Sequence, residues 1–333
     1  MGRAVFGITA GILAVIVAPG PAGAASPITE FAASSAPRYI AAGPDGNVWF
    51  TEFAAIGRMT PAGAITKFAL PHGFICPPPP ILTGPPIDTC GQAGIKGITA
   101  GPDGNVWFLE DDAALAVNRV GRITPAGDIT EFPIPDPLHL FHPTRITTGP
   151  DGSLWFSAYN AIGRITLGGT VTAFPIPSLP GQIAGIAAGP DGNLWFTEPY
   201  GNRIGRMSTL GAVTEFPIPT AGSRPLSITA GLDSALWFNE SQGGKIGRIT
   251  ASGIFTEYPI RAASSVDNGH LGAYYGPRTP DPAAIAVGPG GDLWFTEQGG
   301  NRIGRCLIRR ANSLADRRRR RREWGREGRF DLA

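Results

Sequence analysis

Long uninterrupted helical windows are missing from this sequence. Gly (47) and Pro (33) make up 80 of its 333 residues, and residues this dense in turn and breaker chemistry leave few stretches in which a helix can propagate. Charge is sparse too, at 16% of the chain, and unevenly placed. Residues 307–333 carry ten basic and four acidic side chains, and residues 1–306 carry 18 basic and 22 acidic. A mildly acidic body argues against nucleic-acid binding, and the basic balance of the whole chain comes from its end. Long apolar runs are confined to the N-terminus, so no membrane span is expected. Cysteine is rare, at three residues, and histidine numbers only four. Apolar residues still reach 42%, enough for a packed core and too many for a disordered chain. What remains is the composition of many short strands joined by turns.

The two ends differ from the middle. Arg3, the apolar run Ala4–Ala18 and the small residues Ala22-Gly23-Ala24 form an export-signal pattern over residues 1–24, which predicts a secreted or periplasmic protein cleaved near Ala24. At the other end, Arg317 through Arg322 form one basic run. Residues 306–333 are expected to be a disordered or artefactual tail, because such a run repels itself. Cys76 and Cys90 flank Pro77–Pro80, and a disulfide between them would stabilise by about 3 kcal/mol in the chain-entropy picture. Two free thiols are the alternative, and Cys306 is the odd one out.

Between the ends one unit recurs six times. Its core, Gly-Pro-Asp-Gly-Asn-x-Trp-Phe-Thr-Glu, is centred on Trp49, Trp107, Trp155, Trp195, Trp237 and Trp294. Each core is followed by Ile-Gly-Arg or Val-Gly-Arg, ending at Arg58, Arg122, Arg164, Arg206, Arg248 and Arg305, and then by a Thr-Glu-Phe-Pro-Ile-Pro type segment. Strands at Ile98–Ala100, Asn105–Glu110, Val120–Thr124 and Asp128–Phe132, separated by Pro-Asp-Gly and Pro-Ala-Gly turns, make one four-stranded antiparallel unit. A period near 40 residues with four strands per period predicts an all-β fold, a β-propeller of six countable blades over residues 26–305. Ile28–Phe31 reads as a fourth strand with no blade before it, and the last unit has no recognisable fourth strand. An N-terminal strand is therefore expected to close the last blade.

The Gly-Pro-Asp-Gly-Asn-x-Trp-Phe-Thr-Glu, Asn-Arg-Ile-Gly-Arg-Ile-Thr and Thr-Glu-Phe-Pro-Ile-Pro segments resemble the streptogramin B lyase (virginiamycin B lyase) family. That resemblance implies a propeller, typically seven-bladed, which linearises a cyclic depsipeptide antibiotic by elimination at its ester. It also implies a bound Mg²⁺, glutamates, and histidines in a Pro-His-x-Ile context at the start of first strands. The positions of this chain that match that histidine are Arg38, Lys96, Thr144, Ala184, Leu226 and Ala283.

Residues repeated in every blade are read as architecture, with Glu52, Glu110, Glu198, Glu240 and Glu297 pairing the repeat arginines. Function is expected where blades differ, on the connections from each fourth strand to the next first strand. Three of these are long: Pro71–Gly94 with His72, Asp136–Pro143 with His139 and His142, and Arg261–Pro282 with Asp267, His270, Tyr274, Tyr275 and Arg278. All emerge on one face, so all four histidines gather there. His270 and His142 are the candidate bases, with Arg38, Lys96, Asp111, Asp267, Tyr274 and Tyr275 as ligand-face candidates and the metal ligands unknown. Two functions follow: a secreted monomeric lyase acting on a small cyclic peptide or ester, or a non-catalytic extracellular ligand-binding or protein-binding propeller.

Overall fold

The computed structural model describes residues 37–52, 54–71, 94–112, 117–135, 140, 142–176, 181–260, 282–287, 292–297 and 302–306. The export-signal pattern, the Ile28–Phe31 closing strand, the Cys76–Cys90 pair, most of the basic tail, and His270, Asp267, Tyr274 and Tyr275 lie outside them. The described chain is all β. Six antiparallel sheets follow one another among the described residues, each with its strands neighbouring in chain order. They are the blades of a six-bladed propeller. Blade 4 shows the pattern: Ile186–Ala188, Leu194–Glu198, Arg203–Met207 and Val213–Pro217. Five blades have four strands, and the sixth has three among the described residues. No helix among these residues is long and apolar enough to cross a membrane.

The repeat motif explains the blade. In blades 1 to 4 a Gly in the Pro-Asp-Gly turn takes φ between 73° and 76°, which costs a residue without Cβ nothing. The turn Asp then does three jobs. In blade 4, Asp191 Oδ1 accepts from the Asn193 backbone N–H and from Trp195 Nε1, while Oδ2 faces Arg206. The equivalent indole–carboxylate bond is 2.9–3.0 Å long in blades 1 to 5. Burial works to raise the pKa of these aspartates, but the indole and neighbouring donors outweigh it and hold all five below the ordinary carboxylate value.

The second strand is buried on both faces. Its Trp packs against the next blade and its Phe against the previous one. The Gly of Ile-Gly-Arg is where that Phe lies: a Cβ on Gly121 would sit 2.1 Å from Phe108 Cζ. Five apolar clusters result, one at each of the contacts between blades 1–2, 2–3, 3–4, 4–5 and 5–6. Among the described residues no sixth cluster joins blade 6 to blade 1. The residues that would form it are accordingly the less covered members of their kind. Trp294 is partly buried where the other five repeat tryptophans are buried, and Val48 is partly buried where Val106, Leu154, Leu194, Leu236 and Leu293 are buried.

Two expectations need correction. The repeat arginines do not pair with the repeat glutamates. Each arginine faces its turn Asp or tryptophan: Arg164 meets Asp151 at 2.9 Å and Arg248 meets Asp233 at 2.7 Å, while in blade 6, where Gly290 replaces the turn Asp, Arg305 pairs with Asp292 at the repeat's Asn position. Their guanidinium carbons sit 5.3–5.8 Å from the tryptophan ring centroids. Register places Arg opposite Trp and the glutamate at the far end of the same strand, so the two cannot meet. Second, Cys306 belongs to the propeller and not to the tail. It pairs with Leu293 as the last residue of the third strand of blade 6 and packs on that blade's core, and this burial raises its thiol pKa.

Candidate functional site at the mouth of the propeller

First strands contact one another in succession from blade to blade, so their ends converge on the propeller axis. Blade 2 departs most from the repeat there. Its first strand was expected from Ile98, and it runs instead over Gly94–Ala100. Its second strand extends to Asp112, two residues beyond the expected end at Glu110. Gly94 pairs with Asp111 and Ile95 with Glu110, and the buried Ile95 anchors the extension. A bulge between Lys96 and Ile98 breaks the register and re-aims Lys96.

The lengthened strands bring together four of the residues singled out from sequence. His142, on the connection into blade 3, has its Nδ1 at 3.3 Å from Asp111 Oδ2, with the histidine side chain 53% exposed and the aspartate 4%. Lys96 feels Asp111, Arg38 and Arg145 together. Burial lowers its pKa most; the two arginines add to that and Asp111 opposes it. Arg145 was not expected from the sequence. It starts the first strand of blade 3, and its guanidinium carbon lies 4.6 Å from the ring centroid of Tyr39 at the start of blade 1, spanning past blade 2. The missing side chain of Gly97 is what admits this approach: a Cβ there would lie 3.0 Å from Arg145 Cα. The signal was available in sequence, because Arg145 immediately precedes the repeat isoleucine Ile146 in a position occupied by Gly97, Gly185 and Ser227 in other blades.

His142 has φ of 48°, a left-handed conformation that a β-carbon disfavours. A neutral imidazole that donates its Nδ1–H to Asp111 keeps a free lone pair on Nε2. That is the arrangement of an oriented general base.

The described residues of this mouth do not fit a divalent cation. Among the described residues no group of three or more His, Cys, Asp and Glu side chains converges, and Lys96, beside Asp111, also feels Arg38 and Arg145. Magnesium wants carboxylate and water oxygens in octahedral array, and this donor set is the opposite of that.

The chain is thus a six-bladed β-propeller with a charged mouth built on blades 1 to 3. Over 85% of its length it superposes on a streptogramin B lyase, covering 84% of that chain at 30% identity with a TM-score of 0.68. It also matches a catalytically inactive histidine-to-alanine virginiamycin B lyase from Staphylococcus aureus with quinupristin, at 37% identity, 85% coverage of both chains and a TM-score of 0.68. Among curated proteins, a virginiamycin B lyase from Nocardia farcinica is 32% identical over 110 residues, which is 32% of this chain and 31% of that relative. No family model matches the chain. On the two structural matches, the chain belongs to the streptogramin B lyase family.

Proposed function

We propose that this propeller opens a cyclic peptide ester by elimination, with His142 as the general base and Asp111 as the residue that positions it. The observation that carries the reading is the His142–Asp111 contact of 3.3 Å on the face of the inter-blade connections. In such a step Nε2 removes a proton from the carbon next to the one bearing the ester oxygen. An alkene forms, the carbon–oxygen bond breaks, and the electron pair leaves on a carboxylate. Export guided by residues 1–24, action as a monomer and a role in antibiotic resistance are parts of the same proposal.

The test is incubation with quinupristin, followed by mass spectrometry and absorbance for a linear, unsaturated product. Elimination keeps the mass, whereas hydrolysis adds a water. His142→Ala is expected to lower the rate about 100-fold or more, and Asp111→Asn to displace the pH profile as well as the rate. Turnover that is unchanged in His142→Ala would remove the assignment.

The second reading is a non-catalytic ligand-binding propeller. It is favoured by the first-strand positions Arg38, Lys96, Thr144, Ala184 and Leu226, none of which is the histidine that the resemblance implies. Quinupristin bound and recovered intact would support it.

A further inference from the structure

The mouth carries a charge arrangement that the base-and-aspartate pair does not use. Three cationic side chains reach it from three successive blades. Arg38 precedes the first strand of blade 1, Lys96 lies on that of blade 2 and Arg145 opens that of blade 3. Arg145 lies over the Tyr39 ring at 4.6 Å and its Cα passes beside Gly97, next to Lys96; Arg38 adjoins Tyr39, its backbone N–H donating to Thr51 O at 2.9 Å, and both arginines act on Lys96. Like charges brought together in a partly dewatered place repel, and a bound anion relieves that repulsion. Asp111, the carboxylate facing Lys96, is shared with His142.

The other side of the ring is different. The matching pairs of positions hold Ala184 and Gly185 in blade 4, Leu226 and Ser227 in blade 5, and Ala283 and Ala284 in blade 6. At these matching positions the cationic residues belong to blades 1 to 3, and those of blades 4 to 6 are uncharged.

We propose that Lys96 and Arg145, with Arg38 beside them, form a binding site for an oxyanion, and that the ligand class is a molecule with one carboxylate or similar anionic group and an apolar body. The proposal deepens the reading of this face as the ligand face. It does not depend on the chemistry assigned to His142, because the site is defined by charge and not by turnover.

The test is equilibrium binding to the full-length protein, by titration calorimetry at fixed ionic strength, with three probes. Sodium sulfate reports a free oxyanion, N-acetylphenylalanine reports a carboxylate carried on an apolar body, and N-acetylphenylalaninamide is the uncharged control. Sulfate and N-acetylphenylalanine are expected to bind, with the amide at least tenfold weaker. Tighter binding of N-acetylphenylalanine than of sulfate identifies the carboxylated ligand, and the reverse identifies a free inorganic ion. Lys96→Met and Arg145→Met are each expected to weaken both anions about tenfold while leaving His142→Ala unaffected in this assay. Both variants remove a crowded cation, so their thermal midpoints without anion should equal or exceed that of the parent, which checks folding. Equal binding of acid and amide, or anion binding unchanged in Lys96→Met and Arg145→Met, would overturn the proposal. Quinupristin turnover lost in His142→Ala with sulfate binding intact separates this site from the assignment of the base.

Discussion

Glu198 and Glu240 are buried in blades 4 and 5, and neither carboxyl oxygen of either residue has a hydrogen-bond partner. Their nearest cations are otherwise engaged. Arg203 bonds Glu215 at 2.8 Å beside Glu198, and Lys245 bonds Glu257 at 2.7 Å beside Glu240. Burial, reinforced by the neighbouring glutamate and only partly offset by the cation, raises each pKa from 4.5 to about 7. The folded state therefore holds two protons that the unfolded chain releases between pH 4.5 and 7. Stability from these groups is fully present below pH 4.5, falls as pH rises, and is lost above the folded value. The gap between 4.5 and about 7 is worth at most about 3 kcal/mol for each group. Replacing both by glutamine removes the ionisation and keeps the shape. At pH 8 the double variant Glu198→Gln, Glu240→Gln should be more stable than the parent by about 1–3 kcal/mol for each site, or several degrees in Tm. At pH 4.5 the two proteins should be nearly equal. The assay is urea unfolding at half-unit pH steps, plotted as the difference between the two proteins so that other titrations cancel. A difference that stays constant from pH 4.5 to 8 refutes the reasoning.

Blade 5 has Ser234 where blades 1 to 4 have the turn glycine, and its φ is 57°. Ser234→Gly should therefore raise stability by up to about 1 kcal/mol in thermal or urea unfolding. Two glycine-to-alanine changes in blade 2 separate conformation from space. Gly104→Ala meets open space at φ of 75° and should cost about 1 kcal/mol, whereas Gly121→Ala drives a methyl into Phe108 and should cost more, with loss of near-ultraviolet ellipticity. Asp191→Ala leaves the buried Trp195 indole without its acceptor and should destabilise by about 2 kcal/mol, with a shift in tryptophan emission.

The blade was legible in the chain because its determinants are local. Pro-Asp-Gly presets its own turn, the Asp reaches an indole four residues on, and the Trp-Phe dipeptide alternates across a strand with a period of two. Each link spans a few residues and recurs, Pro-Asp-Gly in four blades, the Asp–indole bond in five and Trp-Phe in six, so strand identity, turn type and blade count could be read in advance. The pairing of the arginines could not. It depends on cross-strand register, which sets Trp195 opposite Arg206 and Glu198 opposite Arg203, and so places the repeat arginines at the turn-Asp end of the blade.

The site divides the same way. Arg38, Lys96, Asp111 and His142 could be named from sequence as residues that break the repeat near one face. That Asp111 holds His142, and that Arg145 reaches back past blade 2 to Tyr39, was decided by tertiary structure alone. Those contacts join residues from three different blades, and how far each side chain reaches toward the axis depends on a bulge and on one glycine that lets two first strands draw close. A linear pattern records which residue types are present. Only the closing of one blade upon the next sets the charge they share and the partner each one meets.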